Sequence, residues 1–355
     1  MTKDERIGAF TRAFGAGGDI RTYFSPGRVN LIGEHVDYTG GPVFPCALTL
    51  GTWAVARRRS DRVLRLASGN FPLVKEIPLD NLKYLPADDW TNYPKGVLSV
   101  MAGKGHRVGG MDLYFHGDLP NGAGLSSSAS IELAMAVVAD DLFGLAIDRV
   151  SLVRYSQEAE NKFVGVNCGI MDQFAIGMGK KNHAVFLDCT TLQYEHVPLE
   201  LGSVRVVIAN TNKRRELADS KYNERRGECE EAAKLLKVKH LVELSPAAFA
   251  KRKSQLGSDV LLKRARHVLG IAVAAQEYAG RHFSQDATPG IILERPAGAA
   301  PLVPEKVLEL KEAWLKYHRG RDRWHEPGIL QDGTKAYRVD PNHRQLQLLE
   351  TRQHQ

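Results

Sequence analysis

The segment PNGAGLSSSAS, residues 120 to 130, runs without a break into IELAMAVVADDLF, a stretch of small and apolar residues ending at Phe143. This is the feature that most constrains the fold. A turn rich in glycine that leads into a helix exposes several backbone N–H groups at the positive end of the helix dipole, and together they cradle phosphate oxygens. Gly122, Ala123, Gly124 and Leu125 form the turn, and its glycines permit close backbone approach. Ser126, Ser127 and Ser128 add hydroxyls that can bind phosphate or ligate Mg2+. The Gly-Lys-Ser/Thr ending of a Walker A loop is missing. On local grounds alone, an N-capped helix start with small packing residues accounts for the segment equally well.

Two further segments concentrate polar groups among glycines. SPGRVNLIGEHVDYTGG places Arg28, Glu34, His35 and Asp37 within ten residues. Such a set suits a polyhydroxylated ligand, because each hydroxyl can donate to a carboxylate and accept from another group. A surface loop with ordinary ion pairs is the competing reading. In NKFVGVNCGIMDQFAIGMG, Asp172 stands in an otherwise apolar stretch, as either a satisfied helix cap or a placed base. Just upstream, Glu158 and Glu160 point to different faces of one helix. One could pair with Arg154 while the other points to a metal.

Composition narrows the class. With 355 residues and 43% hydrophobic content the chain can bury a core in one large or two ordinary domains. Its longest clean apolar run, Leu133 to Ala139, is far too short for a membrane span. No membrane role is expected. The four cysteines show neither zinc spacing nor a disulfide framework, so a reducing, cytoplasmic setting is expected. The net charge of +7 arises from scattered clusters such as Arg57 to Arg59, read as solvated surface. Bases without an interleaved aromatic stripe argue against a nucleic-acid partner.

The periodicity predicts a first helix up to Phe14, a strand RTYFSP, and a hairpin of Gly51 to Arg58 with Arg62 to Ala67, its second-strand bases facing water. Helices follow over Trp90 to Lys104, Leu125 to Phe143, Arg149 to Phe163 and Glu216 to Leu236, with the strand MDLYFHG between the first two. His183 to Asp188, Gln193 to Val197 and Val204 to Ala209 read as strands of a second sheet. After His267 the apolar periodicity becomes irregular, prolines recur, and Val307 to Tyr317 is the one remaining helical pattern.

Taken together, SPGRVNLIGEHVDYTGG, GDLPNGAGLSSSAS, CGIMDQF and NTNKRRELADSKYNERRGECEEA resemble galactokinase, a family of GHMP small-molecule kinases, from about Thr22 to His267. The resemblance implies an α+β, two-domain GHMP fold of mixed and antiparallel sheets packed against helices. Residues 1–178 would form the N-terminal galactose- and ATP-binding domain, and 179–268 part of the C-terminal domain. It implies an ATP-dependent kinase that makes galactose 1-phosphate, with galactose and ATP as partners, Mg2+ as cofactor and a monomeric state. By position, Glu34, His35, Asp37, Gly169 and Tyr222 would bind galactose, and Gly122 to Ser128 the ATP phosphates. Ser128 and Glu160 would hold Mg2+, Ser68 would add a nucleotide contact, and Arg28 with Asp172 would be the catalytic pair. An N-acetylgalactosamine kinase and a non-catalytic galactose sensor stay open as alternatives.

The resemblance stops near Leu269. Residues 269–355 show no glycine cluster where galactokinases carry a third Gly-rich motif, so the C-terminal domain is expected to be incomplete and activity impaired. An altered splice, frame or gene prediction would produce such an end, as would a genuinely replaced tail.

Overall fold

The computed structural model describes residues 1–120, 123–199, 201, 206–208, 218–284, 292–294 and 335–337. Two compact units are present, one of residues 1–199 with 209–275, the other of residues 200–208 with 276–355.

Among the described residues, the first unit is organised by one eight-stranded mixed sheet. Its strands are β1 (Arg21–Asn30), β2 (Pro42–Val43), β3 (Pro45–Arg58), β4 (Val63–Ser68), β5 (Lys75–Pro78), β6 (Met111–Gly117), β7 (His183–Asp188) and β8 (Tyr194–Pro198). They run in the order β2-β7-β3-β6-β4-β5, with β1 paired to β3 and β8 to β7. β3 and β4 are not a hairpin, because β6 lies between them, antiparallel to β3 and parallel to β4. Nor do β7 and β8 begin a second sheet. Cys46 of β3 pairs with Ala184, and β2 pairs with Asp188 and Leu187, so both strands extend the first. Of the expected strand Val204 to Ala209, residues 206–208 are described and are not in a strand, and the rest lies outside the described residues.

Alternation along the strands separates the two faces of the sheet. Ala54, Ala56, Leu64, Leu66, Leu113 and Phe115 face a core shared with α2 (Asn92–Gly103), α3 (Ser127–Phe143) and α4 (Arg149–Glu158). Val55, Ala67 and Tyr114 face α1 (Lys3–Phe14), whose start is fixed by a capping box between Thr2 and Glu5. Arg58 and Arg62 stay exposed as expected, but Arg57, Arg59 and Arg65 turn toward a buried carboxylate. Asp112, 1% exposed, lies 2.6 Å from Arg57, 3.0 Å from Arg59 and 3.6 Å from Arg65, while Arg65 also covers the Phe14 ring. One buried carboxylate under a docked helix draws in arginines that composition alone assigns to water.

A second core joins α5 (Met171–Gly177) and β7 to α6 (Ala218–Leu235), α7 (Pro246–Arg252) and α8 (Asp259–Ser284) through Phe174, Val185, Ala232, Phe249 and Leu261. α8 continues past His267, where an irregular pattern was expected, and Val268 and Leu269 are buried in this core. Of the second unit, β9 (Ile292–Glu294) and β10 (Lys335–Tyr337) pair antiparallel. The expected helix Val307 to Tyr317 lies outside the described residues.

Candidate active site

Three chain segments meet at Asp172. α5 begins after Ile170 and carries Asp172 in its first turn. Arg28 comes from β1, beside the irregularity between Pro26 and Arg28 in its pairing with β3. The Gly-rich turn docks on β1 through Arg28 N–H to Leu125 O at 3.2 Å. Gly27 makes this approach possible, since a Cβ there would come within 2.8 Å of Leu125 O.

The Arg28 guanidinium ties all three together. Its Nε and Nη2 lie 2.8 and 2.6 Å from Asp172 Oδ1, and Nη1 donates to Gly124 O at 2.7 Å. The other carboxylate oxygen accepts from the Ser126 hydroxyl at 2.5 Å. Ser126 reaches it from a left-handed backbone conformation, φ 59°, at the start of α3. Such a conformation is costly for a non-glycine residue and is held here by the surrounding contacts. Oδ1 faces two guanidinium donors, whereas Oδ2 keeps lone-pair capacity for a further one.

Asp37 and Gly169 are packed directly together. A Cβ on Gly169 would come within 2.0 Å of Asp37 Oδ2, so no larger residue fits this arrangement. Asp37 Oδ2 also accepts from Met171 N–H at 3.3 Å. Burial, and then the charge of Asp172, push the Asp37 carboxyl up to about 6. Glu34 is exposed, and His35 adopts a left-handed conformation, φ 59°, between Gly33 and the 3-10 turn that starts at Asp37. A cavity of about 470 Å³ borders Asp37, Cys168 and Gly169.

Glu160 lies in a π-helical turn, Ala159–Val164, that follows α4 and rotates its carboxyl into the interior. It is 6% exposed, lies near the Ser128 side chain, and its Oε2 accepts from the Cys168 thiol at 3.5 Å. Burial, followed by the charge of Asp172, raises its carboxyl to about 7. Glu158 instead faces outward and pairs with Lys104 and Lys162, so the expected partner Arg154 is replaced. Ser68, at the end of β4 opposite Phe115, accepts from Asn70 N–H at 3.0 Å. Among the described residues it makes no hydrogen bond to the Arg28–Asp172 pair.

Ala123 closes a turn onto Pro120 O, Leu125 is buried and Ser127 is exposed. Gly122 and the Tyr222 side chain lie outside the described residues. The sequence reading passed over Glu132 and Gln173, both fully buried. Gln173 Nε2 donates to Glu160 Oε2 at 2.6 Å and to Glu132 Oε2 at 3.3 Å. Burial, then the charge of Glu160, hold the Glu132 carboxyl well above the usual range. The signal was present: a glutamate four residues after Ser128, amid small apolar residues, falls on the same helix face as that serine.

A family profile described as the galactokinase galactose-binding signature matches residues 8–58, and the GHMP kinases N terminal domain matches 92–180. The galactokinase of Clostridium tetani is 52% identical over 274 residues, 76% of this chain and 70% of that protein. This chain belongs to the galactokinase family. Galactokinases are ATP-dependent sugar kinases of the GHMP superfamily. The Bacillus subtilis galactokinase is 50% identical over 274 residues, 75% of this chain and 70% of that one. The crystal structure of Lactococcus lactis galactokinase complexed with galactose has a TM-score of 0.76 at 43% identity, covering 79% of this chain and 74% of that chain. A profile described as phage portal protein matches residues 193–355. Its span includes α6 to α8, whose buried faces share one core with α5 and β7.

Proposed function

We propose that this chain transfers the terminal phosphoryl group of ATP to the C1 hydroxyl of galactose, with Asp172 as proton acceptor. The observation that carries this reading is the convergence on Asp172 of a guanidinium, a serine hydroxyl and the Gly-rich turn, through Arg28 and Ser126. Phosphoryl transfer needs alignment and charge neutralisation more than covalent chemistry. A carboxylate held by a fixed cation at the mouth of a phosphate-binding turn meets both needs.

In this reading the backbone N–H groups at the start of α3 and the residues of the turn 122–128 hold the ATP phosphates. Asp37, with Glu34, His35, Gly169 and Tyr222, binds the sugar hydroxyls and aims C1 at Asp172. Asp172 accepts the proton of the attacking hydroxyl, and Arg28 offsets negative charge on the carboxylate and on the transferring phosphoryl. Ser68 contributes to the nucleotide side.

Ser128 and Glu160 offer oxygen donors of the kind Mg2+ takes. Burial first, and then neighbouring carboxylates, push both the Glu132 and the Glu160 carboxyl up, as expected of clustered acids that lack a counter-charge. The residues therefore fit Mg2+, which would supply neutralisation of phosphate charge. Ser128 and Glu160 would hold it.

The test is galactose-dependent ADP release from Mg-ATP, run on the parent and on Asp172→Asn. The variant keeps the side chain's shape, so galactose binding is expected to persist while turnover falls by about 10²–10⁴-fold, the usual contribution of a general base. Equal turnover in the two proteins would assign the base elsewhere. The departure from galactokinase sequence after Leu269 favours a second reading, a galactose- and ATP-binding sensor. Tight binding of both ligands with no ADP formed by the folded parent would decide for it.

A further inference from the structure

Gln173 sits one residue beyond Asp172 on α5 and is 0% exposed. Its amide faces two carboxyl groups from two other elements, Glu160 in the π-helical turn and Glu132 on α3. Both amide N–H donors are used there, at 2.6 Å and 3.3 Å. Among the described residues, the amide oxygen Oε1 has no hydrogen-bond partner, and neither has Glu132 Oε1. The amide is thus oriented through its nitrogen, which also lies 3.7 Å from Cys168 Sγ: turned over, it would set its oxygen against carboxyl oxygens and lose both donor bonds. Burying an unpartnered amide oxygen is unfavourable. A leucine would fill the same space without that cost, so packing alone does not account for a glutamine here.

Glu160 Oε2 is gripped twice, by the Gln173 amide at 2.6 Å and by the Cys168 thiol at 3.5 Å. A carboxylate on a π-helical turn has rotational freedom about its own side-chain bonds, and two such grips remove it. Glu132 occupies the second amide donor and so keeps the first aimed at Glu160. Because Gln173 follows Asp172 directly, the same side chain also links the Glu160 carboxylate to the helix that carries the proposed base.

We infer that Gln173 is a positioning residue that orients the Glu160 carboxylate for divalent-cation binding, with Glu132 locking its amide. The inference rests on the reading of Glu160 as an Mg2+ ligand. Partners that orient a metal ligand typically change metal affinity by about 10–100-fold when removed. Gln173→Leu should therefore weaken Mn2+ binding to the protein with ATP by about that factor, read by the electron paramagnetic resonance signal of free Mn2+. The Mg2+ concentration for half-maximal ADP release should rise in parallel. Turnover should recover at high Mg2+, and galactose affinity should be unchanged.

Glu160→Gln, measured alongside, separates the two ideas. If it leaves Mn2+ binding intact, the metal-ligand reading is wrong and the inference goes with it. If it weakens binding while Gln173→Leu does not, Glu160 is a ligand and the positioning role is refuted. Should Gln173→Leu not fold, Gln173→Met, of similar length and without a donor, carries the same test. In the double variant the two losses should not add.

Discussion

Replacing Arg28 by lysine keeps the charge and removes the fork, and its effect can be worked from the geometry. The guanidinium spans two targets at once, Asp172 Oδ1 at 2.6–2.8 Å and Gly124 O at 2.7 Å. A lysine ammonium is a point charge on a flexible stem and cannot reproduce this planar arrangement. It can satisfy the carboxylate or the turn, so at least one charge-assisted hydrogen bond is lost, each worth about 1.5–3 kcal/mol. The Arg28 and Asp172 side chains are 14% and 26% exposed, which moderates the loss through solvent screening. The expected cost is about 2–3 kcal/mol in transition-state stabilisation, or a fall in kcat/KM of roughly 30–150-fold. Coupled ADP release under first-order conditions in galactose would measure it, with circular dichroism confirming the fold. A folded Arg28→Lys protein within threefold of the parent would refute the argument that one planar group must hold the base and the phosphate turn together.

Other consequences can be checked independently. Gly169→Ala should abolish galactose binding, because the new methyl would collide with the Asp37 carboxylate; isothermal titration with galactose measures this. Asp37 is pushed from 3.8 to about 6, so the folded state binds its proton more tightly than the unfolded chain does. The resulting stability is complete below about pH 4 and is lost as pH rises through about 6, some 3 kcal/mol from a difference near two pKa units. Asp37→Asn should flatten that part of the pH dependence of urea unfolding, and a slope identical to the parent's would contradict it. Asp112→Asn leaves Arg57, Arg59 and Arg65 without their buried counter-charge and should destabilise the first unit by about 3–5 kcal/mol, visible as a lower urea midpoint.

Much of the site was legible because its segments are locally specified. Gly122 to Ser128 announce a turn into a helix, and the observed α3 begins at Ser127. EHVDY and CGIMDQF gather carboxylates among glycines. Proximity was not legible. Nothing local says that Arg28 and Asp172, 144 residues apart, share a hydrogen bond, or that Ser126 takes the second oxygen. The face chosen by Glu160 was also hidden, since a regular helix continued past Glu158 would aim it differently from the π-helical turn.

What the sequence by itself determined is the set of strongly periodic helices, the chemical inventory of the three motifs and the place where the resemblance to galactokinases ends. Tertiary structure alone decided that β6 lies between β3 and β4 and that β7 joins the first sheet. It also turned apparently solvated arginines toward Asp112 and set Gln173 between Glu132 and Glu160. The physical reason is common to all of these. Helix periodicity and turn chemistry act over a few residues, whereas strand order and the pairing of buried charges depend on which distant surfaces exclude water together.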